Sequence, residues 1–540
     1  MSNNHRASLN LSRTDKAART RRLLIVGALS VLGLFGVARL GSLVVETPQI
    51  LAVLFGAIVG FVLIYRVRAK WLLLAFFAYV PLSLRIPLSG ATTLPSSFLL
   101  LYLSIVRFLL FERQTRSRLI SWSWVHVWAV IFLALSTVST LAGLNVAESV
   151  RKMFYVVHFA LVLFTVSMIL RPEDLPDLLV ALSVGISVLA LIGIAQFVLS
   201  IVIGRRTLVT FTLQTMVWTV GPKATALFIR KGNPINWYTK FGAMRAVGVG
   251  ITAMQFAQNL LFAFLPAAVT TFTLNRLPRR RFYRAVMLIG LAGIVASFSR
   301  GAWLAGAVGL ATAIAFCFVS PSLLGRIGSL RFIVTLILVV GLIFLALPGR
   351  YRQNLWDMLL SIANIEGETT DSYVGSNQVR FLTYRVAWEM IKQQPLLGVG
   401  PGNFSAAADN ITNVTAIGYA ADAQRGTPHN QYLLTASEMG LPAMLVYVLL
   451  GLAAFRDLAR VALRGRDMQL RLIAAGLCAT LLSLSVYYLV ETNPYIPDVN
   501  SLLWGVAGIS AVARASLFQT AKVPAGSAAE PCVVEGSACA

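Results

Sequence analysis

Apolar residues come in runs of about 17 or more along almost the whole chain, interrupted by short polar stretches. Runs of that length cross a hydrocarbon core of about 30 Å only as helix, because lipid leaves backbone polar groups without partners. The pattern predicts spans over 23–40, 48–65, 71–88, 96–111, 123–143, 152–170 and 176–203. It continues over 250–274, 284–298, 301–319, 332–348, 431–454, 470–490 and 498–514. The runs at 71–88 and 301–319 have the softest edges, so the fold class is an all-α polytopic integral membrane protein of about 12–14 transmembrane helices. Around this body, 23–514, lie a basic head, 1–22, and a small-residue tail, 515–540. Two intervals are too long to be simple connectors, the semi-apolar, basic 204–249 and the hydrophilic 349–430. The second contains an amphipathic helical pattern over Val379–Gln393.

Composition agrees with this reading. The chain is 57% hydrophobic and 12% charged, with a mean hydropathy of +0.76, against about 25% charged residues in soluble domains. The formal charge of +25 raises the question of a nucleic-acid partner. The basic residues nevertheless collect between spans, as cytoplasmic loops require. Arg19, Arg21 and Arg22 precede the first span and put the N-terminus in the cytoplasm; no cleavable leader is evident. Strict alternation from there makes every second loop basic: Arg66, Arg68 and Lys70; Arg113, Arg116 and Arg118; Arg276 to Arg284; Arg326 and Arg331; Arg456 to Arg471. Both termini then face the cytoplasm, and 204–249 and 349–430 face outward. No nucleic acid is expected. Of the four cysteines, Cys317 and Cys478 fall inside apolar runs; Cys532 and Cys539 lie in the tail, with no metal or disulfide spacing.

The outward side holds the candidate chemistry. His429, in Thr427-Pro428-His429-Asn430-Gln431-Tyr432, stands where the long segment re-enters the membrane. A histidine there suits proton abstraction from a hydroxyl; the alternative is a histidine that caps the following helix. His126 and His158 lie within spans, as packing residues. In Ser297-Phe298-Ser299-Arg300-Gly301, Arg300 with Ser299 can hold a phosphate or can be an interfacial anchor beside Trp303. Arg245 meets a helix start on the same face, where anions are favoured, or is a stray interfacial arginine. The segment 204–249 is itself basic on the outer side, against the usual trend, and an anionic ligand at the membrane surface is one reason for that. On the amphipathic helix Arg380 and Tyr384 share a face, as do Arg385 and Lys392. The following run, Pro395 to Phe404, is glycine-rich, which lets backbone approach a ligand or another segment closely. No acidic pair or His/Asp/Glu cluster marks a metal site on this face, and no cofactor is expected. Three arginines and one histidine on one side fit a phosphate-bearing lipid substrate with base-assisted attack by an alcohol.

In order along the chain stand Arg245 with Gly248, Ser-x-Ser-Arg-Gly ending at Gly301, and Arg380 before Pro-Leu-Leu-Gly-Val-Gly-Pro-Gly-Asn-Phe. Pro-His-Asn-x-Tyr-Leu and Glu438-Met439-Gly440-Leu441-Pro442 complete the series. This combination resembles the O-antigen ligase and polymerase superfamily of bacterial membrane glycosyltransferases, over roughly Arg245 to Pro442. The resemblance implies a GT-C-like architecture in the bacterial plasma membrane with an extracytoplasmic active site. It implies metal-independent, inverting transfer of glycan from an undecaprenyl-pyrophosphate donor to an acceptor hydroxyl. His429 would activate the acceptor, Arg300 and Arg380 would hold the pyrophosphate with Arg245 as a further candidate, and Ser299, Tyr384 and Asn430 would support them. Tyr384 stands where the family often has Trp. The amphipathic helix would form part of a lid over the donor.

The expected function is polymerisation of lipid-linked repeat units for O-antigen or exopolysaccharide synthesis, alongside a flippase and a chain-length regulator. The length of the chain and its extended outer segment before the eighth span favour this over a ligase acting on lipid A core or protein. A small-anion transporter is a third reading. Transporters place ionisable residues and broken helices at mid-membrane, whereas these spans look nearly free of acids and bases.

Overall fold

The computed structural model describes residues 59–83, 85–87, 93–112, 122–219, 225–226, 229, 243–249, 252–272, 280–319, 372–408, 427–492 and 494–518. The predicted spans 23–40 and 332–348, most of 48–65, the head and most of the tail, with Cys532 and Cys539, lie outside the described residues. Every other predicted span overlaps a helix, that at 71–88 only in its first half. These are α1 (Ala69–Tyr79), α2 (Ser97–Arg107), α3 (Trp124–Leu141), α4 (Val146–Ile169) and α5 (Leu175–Val202). After α6 (Arg205–Thr219) come α7 (Ala253–Phe272), α8 (Arg280–Ala296) and α9 (Arg300–Val319). The interval 349–430 supplies α10 (Ser372–Gln393) and the short α11 (Phe404–Ala408). The last three are α12 (Gln431–Arg464), α13 (Met468–Tyr487) and α14 (Pro497–Ala515). Among the described residues six segments are long and apolar enough to cross a membrane: α3, α4, α5 with its preceding turn, α7, α12 and α13.

One span needs correction. The run at 71–88 is helical only to Tyr79, because Pro81 opens a single 3-10 turn, Val80–Leu82, and lacks the N–H that a longer helix needs. The chain then forms a small ribbon, β1 (Arg85–Pro87) antiparallel to β2 (Thr93–Pro95), with Arg85 opposite Pro95. The rest of the described structure is helix and loop.

Polar caps mark where several apolar runs begin. Ser123 accepts from Val125 N at α3, Asn145 from Glu148 N at α4, and Asp467 from Gln469 N and Leu470 N at α13. Each satisfies amide groups that the first helical turn leaves open. α7 is the innermost helix, almost wholly buried, and it packs against α8, α13, α5 and α9. α14 lies along α4, and α12 along α3. In this core His158 is fully buried, stacked on Phe98 with ring centroids 3.3 Å apart and within 3.2 Å of the Tyr102 hydroxyl. His126 is fully buried in the capping box of α3. Both are packing residues.

α12 is broken near its start. Gly440 has φ +86, and Pro442 follows two residues later. The loop between α10 and α11 fills the break. Val399 N donates to Ser437 O at 3.0 Å, Gly400 N to Glu438 O at 2.8 Å, and Leu441 N to Pro395 O at 2.8 Å. A Cβ on Gly440 would overlap the Leu396 carbonyl, so only glycine admits this loop. Glu438 sits in the break, buried, accepting from Phe404 N at 3.2 Å and from the Tyr495 hydroxyl. Asp457, also on α12, is fully buried; it accepts from Ser123 Oγ at 2.9 Å and pairs with Arg456 at 3.2 Å. The expectation of spans nearly free of acids is therefore corrected at Glu438 alone, since Asp457 lies beyond the predicted span 431–454. Both carboxylates are tolerable on α12 because each has several donors.

The bundle has two chemically different ends. One gathers Lys70–Asp174 (2.6 Å), Asp457 with Arg456, and Arg514 within 3.9 Å of Asp457. The other gathers the α3–α4 hinge, the α10–α11 loop and the starts of α9 and α12. There Leu144 N donates to Val399 O at 2.9 Å, and Asn403 Nδ2 to Ser149 Oγ at 2.9 Å.

Candidate active site

His429 lies in the short stretch that leads into α12. Asn430 caps that helix: its Oδ1 accepts from Tyr432 N and Leu433 N, each at 3.0 Å. The cap is thus supplied by Asn430, which removes helix capping as the role of His429. His429 instead adopts φ +45, a left-handed conformation uncommon outside glycine that tends to mark functional positions. Two strands of loop fix it there. Gln431 N donates to Tyr488 O at 2.8 Å, Asn430 Nδ2 to Leu489 O at 3.2 Å, and the Thr427 and Thr492 hydroxyls meet at 3.1 Å.

This arrangement sets His429 Nδ1 3.1 Å from Glu491 Oε1. The histidine is 33% exposed and the carboxylate 8%, so the ring reaches solvent while its partner is enclosed. Burial alone would push the Glu491 carboxyl up. The His429 hydrogen bond, the charges of His429 and Arg380 and the Thr492 amide outweigh it, holding the carboxyl below its ordinary value. With Nδ1–H donated to Glu491, Nε2 carries the lone pair that can accept a proton. A base held in place by a third group is the geometry of an activated acceptor site.

The arginines come from three other elements. Arg380 and Tyr384 share one face of α10, as the spacing predicts, and the Tyr384 hydroxyl donates to Leu489 O at 3.0 Å. Burial pushes the Tyr384 phenol up, opposed by the charge of Arg380. The Arg380 charge also acts on Glu491 and Tyr487. Arg245 clasps the turn between α8 and α9: its Nε donates to Ser297 O and its Nη2 to Phe298 O, both at 2.8 Å. Phe298, at φ +50, is the strained residue of that turn. Ser299 is buried and hydrogen-bonded with Tyr487. Arg300 opens α9 beside Gly301, which packs on Val490 and Tyr487.

The segment Tyr487 to Thr492 is therefore the hub on which the four elements converge. The sequence points to the arginines, Ser299, Tyr384, Asn430 and His429, but not to Glu491. The available signal was a lone carboxylate in a short loop on the side richest in unexplained arginines. The glycine run contributes differently from a ligand cradle, since it approaches the broken α12 and the α3–α4 hinge. Arg385 and Lys392 lie on the exposed face of α10. Lys223, Arg230, Lys231 and Lys240 of the basic interval 204–249 lie outside the described residues. Among the described residues no group of three or more His, Cys, Asp or Glu gathers as a metal site.

Fold and site together define a multi-span helical membrane protein with a histidine–carboxylate pair in the field of Arg380 at one end of its bundle. Residues 285–448 match the family model described as O-Antigen ligase. Over that stretch, less than half of its length, the chain is similar to the O-antigen ligase family. The match runs from α8 into α12, so it contains Arg300, Arg380, Tyr384, His429 and Asn430, while Arg245 and Glu491 lie outside it. No curated protein matches the chain.

Proposed function

We propose that the chain polymerises lipid-linked oligosaccharide repeat units at the outer face of the bacterial plasma membrane, as a metal-independent, inverting glycosyltransferase. The observation that carries this reading is the His429–Glu491 pair at 3.1 Å within the field of Arg380. His429 Nε2 takes the proton of an acceptor sugar hydroxyl as its oxygen attacks the anomeric carbon of the donor glycan. The bond from that carbon to the phosphate oxygen breaks, and its electron pair leaves on undecaprenyl pyrophosphate. Attack opposite the leaving group inverts the anomeric centre. Arg300 and Arg380 neutralise the pyrophosphate, and their charge is worth most where water is excluded. Arg245, with two donors committed to the α8–α9 turn, holds Arg300 in position and adds positive potential. Tyr384 and Asn430 keep α10 and the α12 start on the Leu489 carbonyl. α10 serves as part of a lid over the donor, and a flippase and a chain-length regulator are the expected partners.

The family described as O-Antigen ligase supports a second reading, in which the same site delivers glycan to lipid A core or to a protein. The two readings share the donor half of the chemistry and differ in the acceptor. The test is reconstitution of the purified chain with a lipid-linked repeat unit, with and without lipid A core. Lipid-linked oligomers formed without core support polymerisation; product formed only on core assigns the ligase. No transfer to either acceptor by the wild type overturns the proposal.

A further inference from the structure

α10 buries one face and leaves the other bare. Leu382, Val386, Ala387 and Met390 pack into a small core with Val399, Phe404 and Leu434. On the opposite face, at helical spacing, stand Phe381, Arg385, Trp388 and Lys392, all exposed, and the series continues to exposed Leu396. Phe381 is 48% exposed, Trp388 54% and Leu396 68%. These are large apolar groups outside the spanning segments, and leaving them in water is unfavourable.

The end of α10 is joined to a lipid-facing surface. Leu441 N donates to Pro395 O, which brings Leu396 to the start of an exposed row on α12, Leu441, Leu445 and Leu452. On a spanning helix such a row meets acyl chains. An aromatic and basic stripe that rises from acyl-facing leucines matches the boundary layer. Trp sits at headgroup level, and long cations reach phosphates while their stems stay apolar. Lys392 also pairs with Glu389 at 2.7 Å, but at an exposed position that pair is weak.

We propose that the Phe381–Arg385–Trp388–Lys392 face of α10 is seated in the headgroup layer of the bilayer and binds anionic phospholipid. The face thereby holds the helix that carries Arg380 at a fixed height on the membrane. This requires only that α12 crosses the bilayer; it does not depend on the transfer reaction proposed above.

The test places single spin labels on the full chain in nanodiscs, with Cys317, Cys478, Cys532 and Cys539 replaced by alanine. Labels go at Trp388→Cys and Arg385→Cys, with Leu445→Cys as a lipid reference and Glu173→Cys as a water reference. In discs of phosphatidylcholine with phosphatidylglycerol, the label at 388 is expected to resemble 445, more accessible to oxygen than to a water-soluble nickel chelate. Removing phosphatidylglycerol shifts it toward the water reference, and Arg385→Gln with Lys392→Gln abolishes that dependence on the anionic lipid. A label at 388 that matches 173 in both lipids means the face meets water or glycan, and the proposal fails. Protection from both reagents means it is covered by protein, and the proposal also fails. Lipid-like accessibility at 388 that ignores phosphatidylglycerol overturns the anionic preference.

Discussion

The molecule places a histidine near a carboxylate at each end of its bundle, and the two pairs differ in nearly every respect that matters for chemistry. At the basic end, His126 is fully buried, its Nδ1 accepts from Ser123 N at 3.2 Å, and Asp457 receives the Ser123 hydroxyl and two arginines. Those interactions hold the foot of α3 against α12. At the opposite end, His429 is one-third exposed, its backbone is left-handed, and its Nδ1 faces Glu491. The residue types are similar, but one ring is closed into a helix cap and the other is held open toward the surface. Availability of the second ring nitrogen, more than the presence of a carboxylate, separates a packing histidine from a candidate base.

The sharpest way to break this contrast is to remove each ring. His429→Ala is expected to abolish glycan product with unchanged membrane insertion, read by product gels and by yield of folded protein. His126→Ala should keep the product but lower thermal stability, by about 1–3 kcal/mol for a vacated buried site. Normal long-chain glycan from His429→Ala would sink the base assignment. Next in size is Glu491→Gln, which keeps the shape but weakens control of the His429 tautomer. A drop in turnover on the order of 10- to 100-fold is expected, with the apparent KM for donor less affected.

The arginines sort by what they hold. Arg300→Ala and Arg380→Ala should raise the apparent KM for the pyrophosphate donor, and lysine at either position should restore part of it. If alanine and lysine variants behave like wild type, these arginines are interfacial anchors. Arg245→Ala instead strands the Ser297 and Phe298 carbonyls, a cost of about 1–3 kcal/mol for each buried group left unpaired, and should show first as a lower melting temperature. Gly440→Ala forces a side chain at φ +86 into the Leu396 carbonyl. It should loosen the α10–α11 loop, read as faster proteolysis near 395–404 than in wild type.

The smallest effect is in pH. The Glu491 carboxyl is held below its ordinary value in the folded chain. Its stabilising contribution is therefore present above the unfolded carboxylate value, about 4.3, and is lost as pH falls through the lower folded value. Melting temperatures of wild type and Glu491→Gln should differ near neutrality and converge in acid. A constant difference across that range would mean the carboxylate charge contributes nothing to folding.

Much of the fold was legible because the membrane leaves few choices. An apolar run of spanning length must be a helix, so the described spans fall where the hydropathy pattern puts them. The exception at 80–88 came from proline, a backbone effect that a hydropathy window averages away. The break in α12 was half legible: Gly440 and Pro442 mark a weak point, but nothing local says that Pro395–Asn403 would fill it. Glu438 falls inside the predicted span 431–454, and nothing local in the sequence announces its donors, Phe404 N and the Tyr495 hydroxyl, which come from distant segments.

The sequence by itself determined a helical membrane protein and the basic and non-basic sets of loops, and it offered His429, Arg245, Arg300 and Arg380 as candidates without separating chemistry from capping or interfacial anchoring. Spacing along the helices was enough, because lipid enforces one backbone geometry and charge resists burial. Only the tertiary structure decided that Glu491, 62 positions from His429, is its partner, that Asn430 and not His429 is the helix cap, and that Arg245 spends two donors on a turn. Those choices depend on which loops meet at the end of the bundle. Hydrogen-bond geometry across such a meeting point leaves no periodic trace in either segment.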